Sequence, residues 1–92
     1  MRQPLILSRN RAQSSYPSED EVLSVVASYG PCNTAEILRK THREGESEKE
    51  TLLKVQRFLN ELRSMRNIYL DRAGWSATMA GMNRAAQWLG VR

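Results

Sequence analysis

The chain has 92 residues, of which 40% are hydrophobic and 26% are charged, and its formal net charge is +4. This length fits one domain with a modest core, and the composition predicts a globular chain rather than a disordered one. The single cysteine excludes an internal disulfide and favours a reducing compartment. No apolar run approaches the roughly 20 residues of a membrane span, and the run at 4–7 is too short for a secretory signal. We therefore expect a cytoplasmic protein with no membrane partner.

The basic charge is concentrated at the two ends of the sequence. Residues 1–17 carry three bases and no acid, residues 18–50 carry four bases and eight acids, and residues 51–92 carry seven bases and two acids. A basic surface opposite an acidic one suits contact with phosphates, so this distribution favours nucleic-acid binding. The alternative is a basic excess that has arisen by chance.

The first piece of the chain, residues 1–17, is predicted to be a flexible basic arm, and residues 18–92 are predicted to be the folded domain. The run 18–21 (SEDE) is a capping box, in which Ser18 accepts from the amide of Glu21 and the carboxylate reaches back. The first helix follows, and Gly30 ends it in a left-handed cap conformation ahead of a proline. Its predicted inward face holds Val22, Val25, Val26 and Tyr29, with Leu23 to one side.

Two further capping boxes, at 33–36 (NTAE) and 47–50 (SEKE), predict the starts of the second and third helices. The polar stretch 42–46 between these helices contains a glycine and reads as a turn. The predicted inward face of the second helix consists of Ile37, Leu38 and Thr41.

The third helix is predicted over about 48–66, followed by a strand at 68–70 and a turn at 72–74. Its inward face consists of Leu52, Val55, Leu59 and Leu62, with Phe58 and Met65 at the edge. Asn67 is predicted to end the helix, because asparagine is second only to glycine as a left-handed cap. An aromatic residue, Trp75, follows the turn.

A last helix is predicted over 78–90, with Thr78 as its cap and Gly90 as its stop. One face would hold Met79, Met82, Ala85, Ala86 and Leu89, with Trp88 beside it. A methionine-rich face of this kind packs in a core or against a partner. We favour packing on the first helix, and a homodimer through the last helix is the alternative.

No catalytic residue, metal site or cofactor site is predicted. A nucleophile and its base would have to be Cys32 and His42, and the sequence shows no residue to orient them. One cysteine and one histidine do not supply the three or four ligands of a metal site, and no glycine-rich phosphate loop is present. We therefore expect a protein that is not an enzyme.

Residues 18 to about 78 resemble the winged helix-turn-helix domain of small bacterial and phage transcription regulators. The resemblance is carried by the order of the runs 33–38 (NTAEIL), 59–62 (LNEL), 67–68 (NI) and 75–81 (WSATMAG). It implies a mainly α fold with a small β-hairpin: a three-helix core, a short wing and a C-terminal helix. It also implies a regulator that binds double-stranded DNA with its third helix in the major groove.

The resemblance assigns Arg57 and Asn60 to base contacts, because arginine suits guanine and asparagine suits adenine. Lys49 and Lys54, and Arg72 at the wing tip, would contact phosphates. The arm would add Arg9 and Arg11, which could follow a groove or the backbone. The alternative for Arg57 is an exposed ion pair with Glu61, one helical turn further on.

A second function, a protein-interaction module on the same scaffold, stays open. The stretch 42–46 is longer than the usual 3–4-residue turn of a helix-turn-helix, and four carboxylates lie between residues 44 and 50. Leu53 lies on the outward face of the third helix, where it could meet a thymine methyl group or a partner, or be covered by the arm or the turn. Met82 and Trp88 are the other partner-interface candidates.

Overall fold

The computed structural model describes residues 17–90. In this range the elements are α1 (Glu19–Tyr29), α2 (Thr34–Thr41), α3 (Glu48–Ser64), β1 (Ile68–Asp71), β2 (Gly74–Ala77) and α4 (Met79–Gly90). The predicted class, mainly helical with a small antiparallel hairpin, is confirmed. Within the described range, no helix combines the length and the apolar character that crossing a membrane requires. The predicted arm lies outside the described residues, except for Pro17.

The N-caps of the three predicted capping boxes are all present, because each depends on a hydrogen bond between near neighbours in the chain. The side chains of Ser18, Asn33 and Ser47 each accept a hydrogen bond from the backbone N–H three residues later. The reciprocal half of the capping box forms only in α2, where the Asn33 N–H donates to Glu36 Oε1 at 3.0 Å.

The capping box predicted that the Glu21 carboxylate would accept a hydrogen bond from the Ser18 N–H, and this prediction is wrong. Glu21 Oε2 instead accepts a hydrogen bond from the Arg43 guanidinium at 2.8 Å, across 22 residues of sequence. The carboxylate is ionised with either partner, but the guanidinium also carries the opposite charge, so the carboxylate pairs with the nearby arginine rather than with the backbone amide. The pair ties the segment between α2 and α3 to the first turn of α1.

The predicted end of α1 differs in its backbone. Gly30 is extended (φ −66°, ψ 155°) rather than left-handed. A glycine is needed there because a Cβ would lie 2.5 Å from the carbonyl oxygen of Val26. At the other predicted glycine end, α4 runs to Gly90, which is the last residue that the structure describes.

At the end of α3, Arg66 and not Asn67 adopts the left-handed conformation, with φ 63°. The Arg66 N–H donates to the carbonyl of Arg63, and the Asn67 N–H donates to that of Leu62. This pair of bonds is a Schellman motif, which places the left-handed residue one position before the buried Asn67. The carbonyl of Asn67 accepts from the Thr78 N–H at 3.0 Å, so the end of α3 is held next to the start of α4.

The hairpin is joined by a two-residue turn, Arg72-Ala73, because Asp71 pairs with Gly74 and Ile68 with Ala77. Its second strand is attached, next to the turn, to the segment between α1 and α2. The Trp75 N–H donates to the Cys32 carbonyl at 2.7 Å, and the Cys32 N–H donates back at 3.1 Å.

The core lies between α1, α2, α3 and the hairpin, with α4 closing one side of α1. Its members are Val22, Leu23, Val25, Val26, Cys32, Ile37, Val55, Leu59, Leu62, Ile68, Trp75 and Ala85. Tyr29 was predicted inside but is 56% exposed. It is the last residue of α1, and its ring meets the Lys40 ammonium of α2, 4.1 Å from the ring centroid.

The last helix packs on α1, as predicted, but with a different face. Gly81 and Ala85 are its buried residues, whereas Met79, Met82 and Leu89 are 81%, 52% and 47% exposed. The reason is steric: α4 crosses the backbone of Asn67 so closely that only a glycine fits at position 81. The small residues therefore turn inward, and most of the predicted apolar stripe faces outward.

Candidate nucleic-acid interface

The outward face of α3 is the surface on which the predicted DNA contacts lie. Thr51, Val55, Leu59 and Leu62 are buried at helical spacing, so the opposite side of the helix faces outward. Residues exposed on this helix include Lys49, Glu50, Leu53, Gln56, Arg57, Asn60, Glu61, Arg63 and Ser64, and Lys54 is half-buried. The predicted base-reading pair, Arg57 and Asn60, is thus accessible on one rigid element.

Arg57 does not form the alternative ion pair with Glu61. Within residues 17–90, no salt bridge joins these two side chains. The Arg57 guanidinium instead lies 5.3 Å from the centroid of the Phe58 ring. At an exposed site such a contact is worth only about 0.5–1 kcal/mol, so the guanidinium can leave it for a base or a phosphate.

Asn60 has a neighbour that the sequence analysis missed. Gln56, one helical turn earlier, lines a cleft together with Asn60, Thr34 and Trp75. The Trp75 indole N–H donates to Thr34 Oγ1 at 3.2 Å, which holds β2 against the start of α2. The cleft therefore brings the start of α2 and the hairpin to the side of α3 that carries Gln56 and Asn60.

The signal for Gln56 is present in the sequence, because a residue four positions before Asn60 shares its face. Arg63 lies seven positions after Gln56 and is also exposed, which extends the same strip. Arg66 is a further exposed cation just beyond the end of α3. Gln56 and Arg63 are polar or basic at helical spacing, and that pattern could have identified them.

The predicted phosphate contacts on α3 lie among acidic neighbours. Lys54 lines a depression with Glu46 and Glu50, so their charges offset that of its ammonium group. Lys49 is exposed in the first turn of α3, between Glu48 and Glu50. The positive charge on this helix is therefore concentrated toward its middle and its C-terminal end.

Arg72 lies exposed at the tip of the hairpin, where the sequence placed it. The turn beside it is held by Asp71, whose Oδ1 accepts from the Ala73 N–H at 2.9 Å. Arg9 and Arg11, the predicted contacts in the arm, lie outside the described residues.

Two arginines are engaged with the acidic first turn of α1. Arg84 donates to Glu19 Oε1 at 3.0 Å and to Asp20 Oδ1 at 3.1 Å, while Arg43 pairs with Glu21. Burial alone lowers the pKa of Arg84, but the hydrogen bond to Glu19 and the two negative charges outweigh it and raise that pKa. These ion pairs offset the negative charges of the first turn of α1, and Glu19 also lines a cleft together with Asn60 and Ser64 of α3.

Cys32 and His42 show no arrangement suited to nucleophilic catalysis. Burial raises the pKa of the Cys32 thiol, the nearby Glu36 raises it further, and Lys40 only partly opposes them. A nucleophilic cysteine needs the opposite shift, toward the thiolate. The Nε2 atom of His42 lies 2.9 Å from the carbonyl oxygen of Glu46, within its own turn. No group of three potential metal-binding side chains occurs within residues 17–90.

The predicted partner-interface residues fall in different places. Leu53 is 57% exposed, and the turn between α2 and α3 does not cover it. Met82 is exposed on α4, whereas Trp88 is half-buried beside Val25 and Tyr29 of α1.

Comparison with protein-family models, curated proteins and solved structures finds no match to this chain.

Proposed function

We propose that this chain is a winged helix-turn-helix transcription regulator that binds double-stranded DNA sequence-specifically, with α3 in the major groove. The observation that carries the proposal is the exposed strip of α3, where Gln56, Arg57, Asn60 and Arg63 lie beside the start of α2. The major groove, about 12 Å wide, admits one α-helix and presents a different pattern for each base pair.

The order of elements supports the winged-helix assignment. Three helices are followed by a hairpin, and the hairpin returns to the segment between α1 and α2 through the Cys32–Trp75 bridge. This attachment fixes the hairpin to the helical core, so Arg72 at its tip has a defined position relative to α3. In the proposed complex, Arg72 contacts a phosphate and helps to set the register of α3 in the groove.

The exposed side chains of α3 divide into two roles. Asn60 and Gln56 carry amides that can bond adenine at two atoms, and Arg57 can bond guanine in the same way. Arg63, Arg66, Lys49 and Lys54 are suited to phosphates, with the lysines the weaker pair because of their acidic neighbours. The proposed regulator acts in the cytoplasm of a bacterium or of a phage host, without catalysis and without a cofactor.

The test is a titration of fluorescent duplexes, selected from a random library with the full chain, at two salt concentrations. Affinity is expected to fall steeply between about 50 and 200 mM salt, because neutralised phosphates release counterions. Asn60→Ala is expected to cost about 1–3 kcal/mol on the selected sequence and to relax the base preference at one position.

Asn83→Ala is the matched control, because Asn83 is also an exposed asparagine in a helix but lies on α4. It should bind the selected duplex like the unmodified chain. Absence of any duplex binding at about 50 mM salt, where the phosphate contribution is strong, would overturn the proposal. An equal loss from both asparagine variants would exclude α3 as the reading element.

The second candidate function is a protein-interaction module that does not bind DNA. It is favoured by the exposure of Leu53 and by the four carboxylates at 44–50 beside it in the chain. On this hypothesis Leu53→Asp should abolish a partner complex while the thermal unfolding midpoint stays unchanged, because the side chain is already exposed. A partner complex that survives Leu53→Asp would contradict it, and duplex binding that depends on Asn60 would favour the first proposal.

A further inference from the structure

The outward face of α4 carries an apolar seam with no cover within the described residues. Met79, Met82, Ala86 and Leu89 follow one another at intervals of three, four and three residues, which is the a/d spacing of helices that pack side by side. All four are exposed, and Met79 is the most exposed large hydrophobic residue of the described chain. Single exposed apolar residues are ordinary, but an aligned set on one helix indicates a contact surface.

This seam is separate from the face of α4 that holds the fold together. Gly81 and Ala85 are buried toward α1 and the backbone of Asn67, on a different side of the helix. The Met-rich stripe of the sequence therefore consists of two surfaces. One closes the core, and the other is exposed among the residues that the structure describes.

The charges of α4 indicate what kind of partner fits the seam. Arg84 is the only charged residue of this helix, and it is turned toward Glu19 and Asp20 of α1. The outward face of α4 itself thus carries no charge. At its C-terminal end, Leu89 lines a cavity together with Glu21, Lys40 and Arg43 of the neighbouring segments. Two copies of the same uncharged face can meet across a two-fold axis without placing like charges opposite each other.

We propose that two copies of this chain associate through the seam, with their α4 helices antiparallel. In this arrangement Met82 lies opposite Ala86 of the second copy, and Met79 lies opposite Leu89. Each large side chain of the central pair then faces a small one, which allows the two surfaces to interdigitate. A parallel pair would place Met82 against Met82 and leave a gap between the two alanines.

The association is expected to be weak. Three large side chains and one alanine from each copy cannot reach the roughly 800 Å² per partner of a standard stable interface. The dimer should therefore form at micromolar to millimolar protein concentrations. Its two chains should exchange faster than those of an obligate dimer. The proposal does not depend on DNA binding, so either can fail without the other.

The test is sedimentation equilibrium of the full chain and two variants over that concentration range. The unmodified chain should move from the mass of one chain toward that of two as its concentration rises. Met82→Glu places a charge in the seam and should remain monomeric throughout. Gln87→Glu adds the same charge at an exposed position of α4 outside the seam, so it should dimerise like the unmodified chain.

A monomeric mass for the unmodified chain at every concentration would overturn the proposal. Loss of association in both variants, or in neither, would overturn the assignment to the seam. The direction of the helices has its own test by mild oxidation of cysteine variants. The double variant Met82→Cys, Ala86→Cys should cross-link two chains efficiently, whereas efficient cross-linking of Met82→Cys alone would indicate a parallel pair.

Discussion

Replacing Gly81 with alanine is expected to destabilise the protein by about 3 kcal/mol or more, because the added methyl group overpacks a contact between two backbones. A Cβ at this position would overlap the carbonyl oxygen of Asn67 and lie 2.9 Å from its carbonyl carbon. Neither neighbour is the tip of a flexible side chain, so α4 has to move away from the start of β1. The measurement is urea unfolding followed by circular dichroism.

This expected loss of stability is opposite in sign to what helix propensity alone would give. Inside an exposed helix, exchanging glycine for alanine ordinarily stabilises by about 1 kcal/mol. Gly90→Ala is the matched control, because Gly90 lies in the same helix and a Cβ there meets nothing within 4 Å. It should leave the unfolding midpoint unchanged or raise it slightly. A Gly81→Ala variant as stable as Gly90→Ala would show that α4 does not cross Asn67 at this distance.

Replacing Gly74 with alanine is expected to cost about 2–5 kcal/mol, because backbone strain and overpacking add. Gly74 has a φ of +125°, which residues with a side chain rarely adopt, and its Cβ would lie 2.6 Å from the Cys32 carbonyl oxygen. That same oxygen accepts the hydrogen bond from the Trp75 N–H. The substitution should therefore loosen the attachment of the hairpin as well as lower the free energy of unfolding.

The variant Gly45→Ala separates the effect of backbone strain from that of overpacking. Gly45 also has a positive φ, +93°, but a Cβ there meets nothing within 4 Å. It should show the conformational cost alone, about 1–2 kcal/mol. The hairpin is followed through the indole N–H resonance of Trp75, which should shift in Gly74→Ala and stay in place in Gly45→Ala. Equal losses of stability in the two variants, with no shift, would contradict the close contact with Cys32.

The helix starts could be predicted because they depend on near neighbours in the chain. A side chain at Ser18, Asn33 or Ser47 needs only the amide three residues later, whatever the rest of the protein does. The same holds for the periodicity of α3, whose buried Val55, Leu59 and Leu62 lie where the stripe placed them. The accessible position of Arg57 and Asn60 follows from that periodicity.

The sequence did not reveal interactions between distant parts of the chain. Glu21 belongs to a capping box by pattern, but Arg43 is a stronger partner once the turn between α2 and α3 folds beside α1. Asn67 has the composition of a left-handed cap, yet the Schellman hydrogen bonds place that conformation on Arg66. The cleft that brings Gln56 next to Thr34 and Trp75 exists only in the folded chain.

The last helix shows most clearly which features follow from the sequence and which from the tertiary structure. By itself the sequence determined that residues near 78–90 form a helix, since Thr78 caps it by accepting from the Gly81 N–H at 3.1 Å. Which side of that helix is buried was decided only by the tertiary structure. The apolar pattern of α4 favoured the side with Met79, Met82 and Leu89, whereas the buried residues are the small Gly81 and Ala85. The backbone of Asn67 admits only Gly81 at the crossing point, and this contact turns Met79, Met82 and Leu89 outward.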